Sequence, residues 1–256
     1  MNRKVWGILA AVCVLAVWAV PASAQDEVKE KPPMYSYVSF WNIPRAQWAD
    51  MEKADASDQK ILDKAVADGT LVGYGNDLNL LHQPDGMTHD QWWSGMSLAA
   101  VLNVLDKFYK SGSPTSPVLE SATKHADGIF VSRYYNWRAG SYKNAYTRVA
   151  YYKLKADAPD EAIGNLSKNI IAPVLEKLLA DGSLIEYEID TEAMHTEAPG
   201  AFWVDVISTN ADGLDKLTAA LREASRMNPL RGPTFESMVE TISHRDFLSS
   251  STVTYK

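Results

Sequence analysis

The sequence is nearly devoid of cysteine. Cys13 is the one thiol in 256 residues, and it sits inside an apolar N-terminal stretch. Beyond that stretch, disulfides, zinc–thiolate centres and a cysteine nucleophile are excluded. Positive charge is also scarce: 25 Lys and Arg stand against 32 Asp and Glu, a net charge of −7. Such a chain is a poor partner for nucleic acid or for an anionic membrane surface. No apolar run after the first 24 residues is long enough to span a bilayer. Phosphate-loop and dinucleotide-binding glycine patterns are missing. Ser249-Ser250-Ser251 lies in no Gly-x-Ser-x-Gly nucleophile elbow.

What is present begins with residues 1–24. Arg3 and Lys4 precede an apolar segment that ends in Pro21-Ala22-Ser23-Ala24. Small residues at the −3 and −1 positions predict a secretory signal cleaved before Gln25, with a periplasmic or extracellular destination. Cleavage removes two basic residues and no acid, which makes the mature chain two units more acidic. Residues 25–34 are polar and are expected to be disordered.

The rest of the chain repeats itself. Ile61–Tyr74 matches Val174–Tyr187 without a gap at an offset of 113, and the same offset sets Asp77 on Asp190 and His82 on His195. Upstream, Tyr35, Val38, Phe40 and Trp41 match Tyr146, Val149, Tyr151 and Tyr152 at offset 111. Downstream, Trp93 is matched with Trp203 at offset 110. Offsets that drift this little in chain order signify duplication.

Each half reads as strand, helix, strand, strand, helix, strand. The aromatic, β-branched stretch 35–41 is a strand, and a long helix follows over about residues 45–68. Asp68-Gly69 and Asp181-Gly182 close the long helices. In the second strand of the second half, Ile185, Tyr187 and Ile189 alternate with Glu186, Glu188 and Asp190, which predicts one buried and one wet face. Residues 137–145 are expected to link a first repeat, 35–136, to a second, 146–256. Strand–helix–strand–strand–helix–strand is the ferredoxin-like unit, whose sheet carries helices on one face only. The fold class expected is therefore α+β: tandem ferredoxin-like units with antiparallel sheets packed face to face.

In this topology and repeat the chain resembles the dimeric α/β-barrel superfamily in a fused, duplicated form. The resemblance implies a pseudo-dimeric barrel with a small-molecule pocket between or beside the sheets. It leaves open cofactor-free oxygenase, isomerase, haem-binding and non-catalytic roles, and no catalytic residue is carried over from it.

Strand parity nominates the residues facing the inter-sheet space: Tyr37, Trp41, Trp93, Arg148, Tyr152, Trp203 and Asp205. Aromatic walls with few polar groups suit a small ligand, and equally a filled core. Arg148 and Asp205 are expected to pair there. His82 and His195, with Asp85, His89, Asp90, Glu192 and Glu197 nearby, fit no recognised zinc spacing. No metal and no cofactor is expected, and a haem would have to use His125 or His244. The leading reading is an exported protein that binds a small, partly aromatic molecule. An oxygenase- or isomerase-type enzyme and a non-catalytic envelope protein are the alternatives.

Overall fold

The computed structural model describes residues 28–82, 86–196 and 199–256. The N-terminal segment read as a signal, and Asp85 and Glu197 in the hairpin turns, lie outside the described residues. The first half runs β1 (Met34–Asn42), α1 (Trp48–Ala67), β2 (Gly73–Asn79), β3 (His89–Gly95), α2 (Leu98–Ser111), α3 (Pro117–Glu120) and β4 (Lys124–Trp137). The second runs β5 (Gly140–Lys153), α4 (Ala162–Leu166), α5 (Ala172–Ala180), β6 (Leu184–Glu192), β7 (Ala201–Ser208), α6 (Ala211–Met227), α7 (Arg231–Met238) and β8 (Arg245–Tyr255).

Within each half the strands pair in the ferredoxin-like order, β4-β1-β3-β2 and β8-β5-β7-β6. The two sheets then join at their edges. β2 pairs antiparallel with β8, and β4 with β6, so eight strands close into one barrel with the helices outside. Closure leaves no unpaired sheet edge.

Local chemistry repeats with the chain. Gly69 and Gly182 both take left-handed φ, 81° and 82°, at the ends of α1 and α5. The Tyr74 hydroxyl donates to Asp63 on α1 at 2.6 Å, and the Tyr187 hydroxyl donates to Glu176 on α5 at 2.6 Å. Each bond ties a strand to the helix packed over it. One difference concerns the long helix of the second half. Between α4 and α5 the chain widens into a π turn, Ser167–Ile171. Pro173 follows immediately, and it has no N–H with which to continue the ladder.

The helix-facing sides of the strands carry most of the apolar core. In the first half Tyr37, Leu62, Tyr74, Trp93, Val101 and Phe108 pack together; in the second, Leu166, Leu175, Tyr187, Phe202, Val206 and Leu217 do so. Each such side chain removed from water contributes about 1.5–3 kcal/mol.

Two expectations about boundaries are corrected. Residues 137–145 are not a linker. β4 reaches Trp137 and β5 starts at Gly140, because β8 supplies Tyr255, Thr254 and Val253 as partners for the first residues of β5. Residues 28–33 are not disordered but lie along β4. The Lys31 N–H donates to the Arg133 carbonyl at 2.8 Å, the Tyr135 hydroxyl donates to the Pro32 carbonyl at 2.8 Å, and Arg133 pairs with Glu30 at 2.8 Å.

Closure through two inter-repeat edges makes the halves interdependent. Residues 28–139 expressed alone would expose the β2 and β4 edges and the barrel interior. They should self-associate or aggregate, and sedimentation velocity should show no monodisperse, folded monomer.

Candidate functional site

Inner strand positions enclose a cavity of about 330 Å³. Its lining is set by parity. Val38 sits opposite Trp92, Gly75 opposite Trp92 on its other side, and Glu188 opposite Asp205. Acid groups project from four strands: Asp77 from β2, Asp90 from β3, Glu186, Glu188, Asp190 and Glu192 from β6, and Asp205 from β7. Aromatic rings accompany them, including Trp92, Phe130, Trp203 and Tyr255. Among the described residues the lining contains no Lys, Arg or His.

The register pairs corresponding positions of the two halves at offset 113. Gly73 and Gly75 occupy the places of Glu186 and Glu188, and Trp92 that of Asp205. The cavity is therefore polarised. Along β2, large rings take the room the glycines leave: a Cβ on Gly75 would meet the Trp92 ring at 2.5 Å, and one on Gly73 the Tyr255 ring from β8 at 2.3 Å. On the second-half wall the same positions are carboxylates. The rings of Tyr135, Trp137, Tyr255 and Trp92 continue in sequence, with successive centroids 5.7, 6.0 and 5.8 Å apart. At the far end the lining extends to Leu81, Met87 and Thr196, which lie beside the hairpin connections.

Some of the acids are well held. Trp92 Nε1–H donates to Asp77 Oδ2 at 2.9 Å, and the Ser251 hydroxyl donates to Asp77 Oδ1. The Ser36 hydroxyl donates to Glu188 Oε2 at 3.2 Å. Others are not. Glu186 Oε1, Asp190 Oδ1 and Asp205 Oδ1 are buried with no hydrogen-bond partner outside the carboxyl cluster itself, and the Tyr255 hydroxyl is buried with none. Removal from water raises Asp77 to about 6 and Glu188 to about 7. Glu186, Asp190 and Asp205 are pushed up well beyond the ordinary carboxylate range, first by burial and then by the negative charge of Glu188 beside them. A group of this kind shares protons at neutral pH.

Of the residues expected in the inter-sheet space, Trp203 and Asp205 are there. The other five face the helices, one residue out of phase. Tyr37 stacks on Trp93 at 4.5 Å, in the core under α1 and α2. Trp41 stacks on His125 at 3.6 Å. Tyr152 stacks on His244 at 4.5 Å and meets Phe202 and Phe235. Arg148 does not pair with Asp205. Its Nη2 and Nε donate to Asp246 Oδ1 at 2.9 and 3.2 Å. The proposed match of Trp93 with Trp203 also fails. Trp93 pairs across from Tyr74 as Val206 does from Tyr187, and Trp203 takes the place of Asp90.

The missed residues are Trp92, Asp77 and the acids of β6. β1 and β5 are apolar on both faces, so alternation could not choose their inner side; β7 alone set Phe202, Val204 and Val206 against a mixed row. The row Glu186, Glu188 and Asp190 was visible as alternation. Its wet face is the barrel interior, where all three are at most 6% exposed.

Two other polar groups are poorer candidates. Ser39, His125 and Asp127 are mutually bonded, but both Ser39 Oγ and Asp127 Oδ1 approach the same nitrogen, His125 Nε2, at 3.0 Å. That leaves no relay through the imidazole of the kind a nucleophilic serine needs. His82 and His195 are exposed, and His195 Nδ1 lies 3.9 Å from Glu192 Oε2. No group of three or more His, Cys, Asp or Glu among the described residues converges for a metal ion. The barrel lining does not suit haem either, because it offers no histidine and its acids would repel the propionates.

No protein-family model matches the sequence, and no curated protein matches it. The fold does have solved counterparts. A proposed monooxygenase from Lactobacillus acidophilus superposes with TM-score 0.63 at 12% identity, over 88% of this chain and 97% of the other. A proposed monooxygenase from Fusobacterium nucleatum gives 0.60 at 10% identity, over 88% and 95%. An anthrone oxidase-like protein gives 0.50 at 10%, over 88% and 93%. Identities this low speak for architecture alone: with its closed eight-stranded barrel and its two ferredoxin-like repeats, the chain has the dimeric α/β-barrel fold in single-chain form.

Proposed function

We propose that this protein is an exported barrel that binds a small, partly apolar molecule between its two sheets. The observation that carries this reading is the polarised cavity of about 330 Å³, whose size lies in the range of small-ligand sites. A filled structural core would not keep orphaned carboxyl oxygens against open space, since each unsatisfied buried polar group costs about 1–3 kcal/mol. Export rests on the N-terminal pattern. Among the described residues, no helix is long and apolar enough to cross a membrane.

A second reading is an enzyme of the oxygenase or isomerase type using the same cavity. Two observations favour it: the fold shared with two proposed monooxygenases, and Asp77 and Glu188 being raised to about 6 and 7. A carboxylate with a pKa near the working pH is an efficient acceptor of a carbon-bound proton. In this reading Glu188 takes the proton and the aromatic wall positions the substrate.

Protein purified from its own host should begin at Gln25 and should retain a small molecule in native mass spectrometry. Val38→Trp, placed opposite Trp92 on the inner face, should lose that molecule while unfolding cooperatively. A Val38→Trp protein that keeps the full ligand load would remove the barrel as the binding site.

The raised carboxyl pKa values also set how stability depends on pH. Asp77 and Glu188 hold their protons more tightly folded than unfolded, so stability falls as pH rises from the unfolded carboxylate range through about 6 and 7. His89 acts oppositely at low pH, because burial lowers it to about 4 and its stabilisation is lost as pH falls below the ordinary histidine value. Above about pH 6.5 only the acids contribute. Ionising Glu188 in the folded barrel costs about 3 kcal/mol. Most of that is lost between about pH 4.5 and 7, and about 1 kcal/mol remains to be lost above pH 6.5, so the melting temperature should drop by roughly 5–10 °C between about pH 4.5 and 7 and by only about 2–4 °C from there to pH 9. Glu188→Gln should flatten that slope in thermal melts followed by circular dichroism.

A further inference from the structure

Resting on the ligand-binding reading above, we infer that the molecule taken up by the barrel is a small organic cation, an ammonium group on an aromatic or apolar body, and that it enters in exchange for a proton. Three independent features of the cavity point this way. The lining is acidic, and no Lys, Arg or His side chain contributes to it among the described residues. An anion would meet uncancelled repulsion there, and a neutral apolar molecule would leave the carboxyl oxygens unanswered.

The second feature is the set of orphaned atoms. Glu186 is 2% exposed and Asp190 3%, and each turns toward the interior a buried oxygen with no donor outside the carboxyl cluster. Tyr255, 3% exposed, adds a hydroxyl without a partner. An ammonium group carries N–H donors for the carboxylates, and the tyrosine oxygen can accept one more. The third feature is the opposite wall. Trp92 and Tyr255 pack close against the β2 glycines and line the cavity, and aromatic rings attract organic cations and cover their apolar parts. A bare metal ion would not use that wall, and among the described residues no three acids converge as a metal requires.

The exchange follows from charge balance. The groups facing Glu188 are Asp77 from β2, Glu186 and Asp190 from its own strand, Asp205 from β7, and the hydroxyls of Ser36 and Tyr255. None is cationic. Protons shared among the carboxyls supply the positive charge when no ligand is bound. An arriving ammonium replaces one of them: the N–H···O bonds to the carboxylate form, the O–H bond of one carboxylic acid breaks, and that proton leaves to solvent.

Calorimetric titration of the full mature chain with phenethylamine, 2-phenylethanol and phenylacetate tests this. Phenethylamine should bind at least about tenfold more tightly than the alcohol, and phenylacetate should not bind. Titration in two buffers of different ionisation enthalpy should show release of about half a proton per amine at pH 7, approaching one by pH 6. Affinity should weaken about tenfold from pH 8 to pH 6 as Glu188, near 7, takes up its proton. Glu186→Gln and Asp205→Asn, examined in parallel so that one misfolded variant does not end the test, should each lose affinity for the amine and not for the alcohol. Equal binding of alcohol and amine, or amine binding with no proton released, overturns the cation inference and leaves the barrel as a ligand site. No binding by any of the three overturns both.

Discussion

Edge-to-edge pairing of the two repeats, β2 with β8 and β4 with β6, creates the interior from which the chemistry follows. Without those two ladders each sheet would have a face open to water, and the acids of β6 would be ordinary solvated side chains. With them, the same face becomes the inner wall of a barrel. Glu186, Glu188 and Asp190 are then held where ionisation is costly, and their proton affinity rises. Closure also turns a shared fold into a particular site, because the residues that meet across the barrel come from both halves.

Duplication supplied the frame, and divergence supplied the polarity. Tyr74 with Asp63 and Tyr187 with Glu176 repeat one strand-to-helix tie in both halves. Trp41 on His125 and Tyr152 on His244 repeat one stacking pair on the helix side. Recurrence in both halves marks these as parts of the frame. The interior positions did not stay alike. Gly75 and Trp92 in one half stand in the interior where Glu188 and Asp205 stand in the other, so a chamber with pseudo-twofold strands carries more of its acids on the second-half side, with Asp77 and Trp203 keeping both sides mixed. A symmetric chamber could not orient a molecule that is apolar at one end and charged at the other.

The acids of the barrel oppose folding, and other parts of the structure must offset them. Each half brings its own apolar core beneath its helices, with Leu62 and Val101 in one and Leu166 and Leu184 in the other fully removed from water. A barrel stabilised from outside can tolerate strained electrostatics inside. Shared protons relieve part of that strain while the chamber holds no cation.

The repeat, the order of strands and helices, the glycine-closed helix ends and the ferredoxin-like units were all legible in the sequence, because local period and local turn chemistry determine them. So was the alternation of β6 and the inward row of β7, where apolar and polar residues separate cleanly by parity. Which side of β1, β3 and β5 faces the barrel was not legible. Tyr37 and Val38, and Trp92 and Trp93, are neighbours that are both apolar. On β5, Arg148, Ala150 and Tyr152 set one polar group among apolar ones just as Thr147, Val149 and Tyr151 do, and alternation without contrast carries no phase. Only the register across the closed barrel, with Val38 opposite Trp92 and Glu188 opposite Asp205, decided it. The carboxyl chamber was beyond local reading for the same reason. A row of acids looks solvated along one strand, and it becomes buried only when distant strands complete the wall around it.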